Sequence, residues 1–333
     1  MYERFLGDLA TTSLRDFRVT VVNGPRQSGK TTLLRSLVAA GGTYATLDDD
    51  LVRAAASNDP VDFVPFRELP FAIAEVQRGG DRLVLAIKAA VDRLNRWGMF
   101  LLAGSTRFLT VPQLSESLAG RAEVLDLWPL SQGELLGRRE AFVDIAFDHA
   151  HQWTDVQPEA LGRADLFDRV ATGGFPEVVS GSAASRQRWF RNYLRTVVER
   201  DVVEASAIRQ ADELPRLVRL LAANSAGELV PARLAGDARL SDDVTRRYLG
   251  LLELVGLLVR VPAWLPSLTS REKRHSKAVL VDTGLASAVL GLTAESLAAR
   301  GASMAGPLLE SFVTMELRKQ FSWSDSGIEL RHW

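Results

Sequence analysis

The 333-residue sequence predicts an α/β fold: a parallel sheet flanked by helices over the first 130 residues, then a mostly helical remainder. Three observations predict it. Between residue 17 and about residue 130, β-branched apolar runs alternate with stretches of helical spacing, the pattern of parallel strands joined by helical crossovers. The segment Gly24-Pro25-Arg26-Gln27-Ser28-Gly29-Lys30-Thr31 satisfies the phosphate-loop pattern G-x-x-x-x-G-K-[ST]. It lies between the strand-like Phe17-Arg18-Val19-Thr20-Val21-Val22 and a helix-like run that opens at Thr32. Past Leu130 the alternation stops and helical periodicity takes over, broken at Thr172-Gly173-Gly174-Phe175-Pro176.

In chain order, strands are expected over 17–23, 43–48, 70–75, 98–104 and 123–127, with helices around 30–40, 50–58, 80–96 and 112–120 between them. Residues 131–211 read as a helical lid, with a long arginine-rich helix from residue 184 to about residue 203. Residues 212–282 give a helix over 213–223, a short helix near 231–235, a helix capped at Ser241-Asp242-Asp243-Val244, and strands over 256–261 and 278–281. That order is the one of a winged helix-turn-helix. The tail, 283–333, carries a helix over 307–321 and a final strand over 328–333, so the expected divisions are 1–130, 131–211, 212–282 and 283–333.

Bulk composition narrows the function classes. Lys+Arg 40 against Asp+Glu 41 leaves a formal net charge of −1, so contact with nucleic acid would need a local basic patch. The absence of cysteine excludes disulfides, thiolate metal sites and a cysteine nucleophile. The amino terminus lacks a signal pattern, and no apolar run reaches the roughly 18 residues needed to span a bilayer. The expectation is a soluble cytoplasmic protein without a membrane partner.

The candidate chemistry gathers at the loop. Glycines let its backbone wrap a polyphosphate, free amides at the helix start face anionic oxygens, Lys30 adds a point charge, and Thr31 offers a hydroxyl to magnesium. Gly24, Pro25, Arg26, Gln27, Ser28, Gly29, Lys30, Thr31 and Thr32 are therefore the expected site for ATP or ADP with Mg2+. In Phe71-Ala72-Ile73-Ala74-Glu75-Val76-Gln77 a second strand ends near the loop; Glu75 is the candidate to polarise water, while Ala74 stands where an acid would order the metal's water shell. Asp48, Asp49 and Asp50 end the preceding strand and are either solvated or beside that gap. Ser105, after Met99-Phe100-Leu101-Leu102-Ala103-Gly104, is the candidate γ-phosphate or water sensor. Arg121 has two open readings: a finger for a neighbouring subunit's γ-phosphate in a homo-oligomer, or a surface arginine ending a helix. For double-stranded DNA, the candidates are Arg246 and Arg247 on the third helix and Lys273, Arg274 and Lys277 in the basic wing Arg271-Glu272-Lys273-Arg274-His275-Ser276-Lys277. Arg188, Arg191 and Arg195 share a helix face that reads as a solvated or subunit-contacting stripe.

Gly24 to Thr32, Glu75-Val76-Gln77-Arg78, Ala103-Gly104-Ser105, Ser117-Leu118-Ala119-Gly120-Arg121, Gly173-Gly174-Phe175-Pro176-Glu177, Glu199-Arg200-Asp201-Val202, Val281-Asp282-Thr283-Gly284-Leu285 and Gly306-Pro307-Leu308-Leu309-Glu310 form a set. Together they resemble prokaryotic AAA-type ATPases that carry a P-loop domain, a helical lid with a winged helix, and a carboxyl-terminal restriction-endonuclease-like domain of unknown function. The resemblance implies ATP binding with slow hydrolysis, Arg121 in the finger position and Arg200 as a lid sensor. Two departures stand out. Family members have Asp where this chain has Ala74, and they continue into an acidic, nuclease-like segment where this chain stops at Arg331-His332-Trp333, leaving Glu310 and Glu316 as a poor metal site. The carboxyl-terminal domain is thus expected to be truncated. The leading reading is an ATPase whose nucleotide state controls its lid and winged helix; a nucleotide-gated DNA-binding regulator and a degenerate association scaffold are the alternatives.

Overall fold

The computed structural model describes residues 2–64, 67–104, 118–147, 160–198, 213–265, 275–324 and 327–333. They fall into two compact units, Met1–Trp128 and Pro129–Trp333.

The first unit contains strands β1 (Val19–Asn23), β2 (Thr43–Thr46), β3 (Phe71–Ala74), β4 (Phe100–Ala103) and β5 (Ala122–Asp126). All pairings are parallel and the order across the sheet is β2-β3-β4-β1-β5. The three central strands are buried along their whole length, which is why they read as continuous apolar runs without alternation. Helices α1 (Leu6–Asp16), α2 (Lys30–Val38), α3 (Asp50–Asn58), α4 (Pro60–Phe63) and α5 (Gly80–Leu94), with a 3-10 turn at Val76–Gly79, cover the two faces. On one face Val19, Val21, Phe71, Ile73, Phe100 and Leu102 form a core with Ala56 of α3, Phe63 of α4 and Leu83 and Ile87 of α5. The other face belongs to α1 and α2: Ser13 Oγ and Thr20 Oγ1 share a hydrogen bond of 2.7 Å.

Every strand expected in this half is present: the first four are trimmed by one or two residues at one or both ends, and the fifth, expected over 123–127, is shifted by one residue. The helix expected over 112–120 lies almost wholly outside the described residues. Helix α1 was not anticipated. Its buried side is only Leu6, Ala10 and Ser13, too weakly apolar to stand out before the loop motif.

The second unit runs through α6 (Gln132–Leu136), α7 (Phe142–Phe147), α8 (Arg163–Thr172), α9 (Ala183–Thr196), α10 (Leu214–Ala223), α11 (Pro231–Ala238), α12 (Asp242–Leu254), β6 (Leu258–Val261), β7 (Lys277–Leu280), α13 (Thr283–Leu290), α14 (Ala294–Ala298) and α15 (Ala305–Phe321). Strands β6 and β7 pair antiparallel, and a bridge from Glu228 to Lys277 adds a third chain segment to their edge. Ser241 caps α12, its hydroxyl accepting from the Val244 N–H. Tyr248, Leu251, Leu252 and Val255 are core, as their spacing requires.

Two sequence motifs meet inside this unit. Asp282 caps α13 by accepting from the Leu285 N–H at 2.9 Å, and its other oxygen accepts from the Gly174 N–H at 2.7 Å. Thr283 Oγ1 donates to the Val170 carbonyl at 2.7 Å. The glycines are needed because a Cβ on Gly173 would lie 2.1 Å from Asp282 Oδ1, and one on Gly174 2.2 Å from the Leu130 carbonyl oxygen. Phe175, held next to this turn, packs against Trp189, Phe190 and Tyr193 of α9 at centroid distances of 5.5, 6.0 and 4.9 Å. Helices α13, α14 and α15 all pack on α8, so segments read separately as lid, winged helix and tail share one compact unit.

The expected final strand over 328–333 is corrected. That segment makes an isolated parallel bridge from Ala263 to His332, with the Trp264 N–H donating to the His332 carbonyl and the His332 N–H to the Pro262 carbonyl. Pro262 directly follows β6 and has no N–H, so the ladder has no donor with which to continue.

Candidate phosphate-binding site

Strand β1 ends at Asn23 and α2 begins at Lys30, so the six residues between them turn tightly at the carboxyl edge of the sheet. Three backbone positions take positive φ: Gly24 at 153°, Gln27 at 66° and Gly29 at 101°. Gly24 also passes so close to β5 that a Cβ there would sit 2.1 Å from the Leu127 carbonyl oxygen. Lys30 Nζ donates to the carbonyls of Gly24 at 2.9 Å and Pro25 at 2.8 Å, closing the loop on itself. Ser28 Oγ is buried without a hydrogen-bond partner. Thr31 and Thr32 are exposed on the first turn of α2, which carries no acid to neutralise the positive end of the helix. The nine sequence-predicted loop residues make up this turn and the start of α2, and a polyphosphate with a divalent cation suits their donor set.

The acids along the same edge are accounted for one by one. Ala74 is buried at the end of β3, in register with Thr46 of β2 and Ala103 of β4, which in turn pairs with Val22 of β1. Thr20 faces α1, so by strand alternation Val22, Ala103 and Ala74 point to the α1 and α2 face, the one that carries Thr31. An acid at position 74 would point to that face, and a methyl stands there instead. Glu75 follows in a left-handed conformation (φ 54°) and accepts from Gln77 Nε2 at 2.7 Å. Asp48 is paired with Arg78 at 2.7 Å, Asp49 caps α3 through the Leu51 and Val52 N–H groups, and Asp50 is paired with Arg53 at 2.7 Å. Strand β2 neighbours β3, so Asp48, two residues past Thr46, lies one strand from the gap at Ala74, but its carboxylate is engaged by Arg78.

Ser105 lies outside the described residues; β4 stops at Ala103 beside it. Arg121 immediately precedes β5, at the end of the sheet opposite the loop and about 16 Å from it by strand length. Its guanidinium grips Asp92 of α5 in a fork, Nε to Oδ1 at 2.6 Å and Nη2 to Oδ2 at 3.1 Å. The hydrogen bond from Arg121 holds the Asp92 carboxyl below its ordinary range, and Asp92 raises Arg121 in return. Arg121 therefore does not serve its own loop.

In the second unit, Arg246 is exposed with Asp242 at 3.8 Å, Arg247 is exposed, and Lys277 pairs with Glu310 of α15. Lys273, Arg274 and Arg200 lie outside the described residues. Glu316 is bound by Lys319 at 2.6 Å and by the Gln132 N–H at 2.8 Å. Among the described residues no group of three or more His, Asp or Glu side chains is placed to hold a metal ion. Arg188, Arg191 and Arg195 are exposed along α9. Sequence reasoning missed Arg4 and gave no role to Gln77 and Arg78, which it quoted only within the Glu75-Val76-Gln77-Arg78 motif. Arg4 carries no local signal, since only the closure of the fold brings it to the loop.

Residues 16–136 match the AAA domain family. The first unit is an AAA-type P-loop domain. Residues 163–296, in the second unit, match a domain of unknown function, DUF8612. Two curated relatives, the uncharacterized proteins Rv2008c of Mycobacterium tuberculosis and Mb2031c of Mycobacterium bovis, are each 29% identical over 303 residues, 89% of this chain and 62% of theirs. The chain thus spans less than two thirds of the length of these relatives. Among solved structures, AMPPCP-bound DnaA from Aquifex aeolicus aligns with 74% of this chain and 86% of its own at 14% identity, with a TM-score of 0.31. No helix among the described residues is long and apolar enough to cross a membrane.

Proposed function

We propose that this chain binds ATP and ADP with Mg2+ at the Gly24 to Thr32 loop of its AAA-type domain, hydrolyses ATP slowly, and transmits nucleotide state to its helical second half. The loop carries the reading: it joins a buried strand to a helix start, its Gly24 and Gly29 take conformations suited to glycine, and it keeps an unpartnered hydroxyl at Ser28. In this reading the loop amides and Lys30 hold the phosphates and the Thr31 hydroxyl ligates the metal, which supplies charge neutralisation at the transferring phosphoryl group. Lys30 leaves the Gly24 and Pro25 carbonyls to meet the phosphates. Glu75, released from Gln77, polarises the attacking water, and Ser105 senses the γ-phosphate. Arg121, pointing away from its own loop, reaches a neighbour's site in a homo-oligomer after leaving Asp92.

A titration with labelled ATP and ADP tests the site. Lys30→Ala is expected to lower affinity by about 10- to 100-fold, the loss of one or more hydrogen bonds from a charged donor. Equal binding by the two proteins would place the nucleotide elsewhere.

One observation favours a second reading, nucleotide-gated binding of double-stranded DNA. Helices α10, α11 and α12 precede an antiparallel pair whose connecting segment holds Lys273 and Arg274, the arrangement of a winged helix. Because Lys277 is paired with Glu310, neutralising Lys273 and Arg274 is expected to give most of the loss, equally across sequences and with a shallower salt dependence. Absence of duplex binding at low salt, with and without ATP, would leave this unit as a protein-contact region.

A further inference from the structure

Arg4 stands 24 residues before Ser28 in the chain, yet its guanidinium rests against the phosphate loop. Nη1 donates to the Ser28 carbonyl at 2.6 Å and Nη2 donates to the Trp128 carbonyl at 2.6 Å. A Cβ on Gly29 would lie 3.2 Å from the same Nη1, so the side chain lies along the Ser28-Gly29 peptide. A trans peptide is planar, with its C=O and N–H pointing in opposite directions. Holding the Ser28 oxygen therefore fixes the direction of the Gly29 N–H, on the side of the peptide away from Arg4. Gly29 has φ 101°, a region that glycine enters without steric cost, so the residue itself does little to keep this peptide from flipping. The second bond, to Trp128 just past β5, keeps the guanidinium from following a loop that moves.

We propose that Arg4 is a positioning residue of the phosphate site: by gripping the Ser28 carbonyl from outside, it aims the Gly29 amide into the cradle where the β-phosphate is bound. The proposal rests on the nucleotide reading above. It assigns to the amino-terminal segment a share in phosphate affinity that the loop motif alone does not contain. A lysine offers a single ammonium and cannot span two carbonyls in the planar fork that arginine presents, so the role is specific to arginine.

The test uses the full chain labelled with 15N, with Arg4→Ala, Arg4→Lys and, as a control, Phe5→Ala, which disturbs the same segment without touching a loop carbonyl. For Arg4→Ala, ATP and ADP affinity is expected to fall by about 10- to 100-fold, the effect of removing a charge-assisted bond that orients a phosphate donor. The Gly29 amide resonance should move in the free protein, and its shift on adding ADP should shrink. Arg4→Lys should recover only part of both effects, and Phe5→Ala should keep wild-type affinity and a wild-type Gly29 resonance. Wild-type affinity in Arg4→Ala overturns the proposal, as does a loss that Phe5→Ala reproduces with the Gly29 resonance unmoved. If the wild type binds neither nucleotide, the nucleotide reading fails by itself; an unmoved Gly29 resonance in free Arg4→Ala would then also refute the peptide orientation.

Discussion

Ala74→Asp raises ATP turnover by at least an order of magnitude, measured at steady state under saturating ATP and magnesium. Position 74 ends β3 on the sheet face that carries Thr31, and the three acids after the neighbouring strand β2 are otherwise engaged: Asp48 by Arg78, Asp49 as the cap of α3 and Asp50 by Arg53. In the proposed site the native methyl would leave phosphate binding by the loop and Lys30 intact but would order no water around a metal. Nucleotide affinity of the wild type should accordingly depend little on magnesium. One preorganised electrostatic group is commonly worth roughly 10²–10³ in rate, which sets the scale of the gain. The gain depends on the rest of the site. Glu75→Gln in the Ala74→Asp background should remove it, and so should Arg121→Ala if a neighbour supplies that arginine. Equal turnover by wild type and Ala74→Asp would mean that another acid already orders the metal or that the site is inert. Glu75→Gln in the wild type then separates the two, abolishing turnover in the first case and changing nothing in the second.

The loop and the central strands were legible because their signals are local. G-x-x-x-x-G-K-[ST] specifies a backbone path, and β1, β3 and β4 are buried on both faces and mostly apolar, so their ends could be placed to within about two residues. What escaped was long-range. Arg4 reaches Ser28 and Trp128 only through closure of the sheet, and Arg121 could be located at the far end of its strand only once β5 was seen to run parallel to β1. The three acids at 48–50 were ambiguous in sequence because a strand-end cluster is read as solvated or functional by position alone. The structure adds their partners: Arg78 for Asp48, the first amides of α3 for Asp49 and Arg53 for Asp50. In the second half, the expected division at residue 282 ran through the Asp282 cap, which joins α13 to the Gly173-Gly174 turn 108 residues before it. No periodicity marks such a contact. The final strand failed for a long-range reason as well: its partner segment begins at Pro262, and nothing in the sequence pairs that segment with His332.

Asp282→Ala is expected to destabilise the second unit by roughly 2–4 kcal/mol. Loss of a helix cap costs about 1 kcal/mol, and leaving the buried Gly174 N–H without its acceptor adds about 1–3 kcal/mol. Asp282→Asn should lose less, because an amide oxygen still accepts from Leu285. The two substitutions also differ from the wild type in pH dependence. Burial pushes the Asp282 carboxyl up from its ordinary value of 3.8, against the opposing pull of the Gly174 N–H, the Lys319 ammonium and the amides of Leu285 and Gly284. An acid whose pKa is raised on folding binds its proton more tightly in the folded state. Its stabilising contribution is therefore full below the unfolded pKa near 3.8 and is lost as pH rises through the folded value. Asparagine has no such contribution, and Glu140, Glu316 and Lys319 are common to both proteins. The advantage of wild type over Asp282→Asn should thus be largest in acid and shrink toward neutrality, as read from urea unfolding followed by tryptophan fluorescence at a series of pH values. An advantage that grows with rising pH would show that the amides and Lys319 outweigh burial at this carboxylate, and that the turn joining α8 to α13 is held by charge.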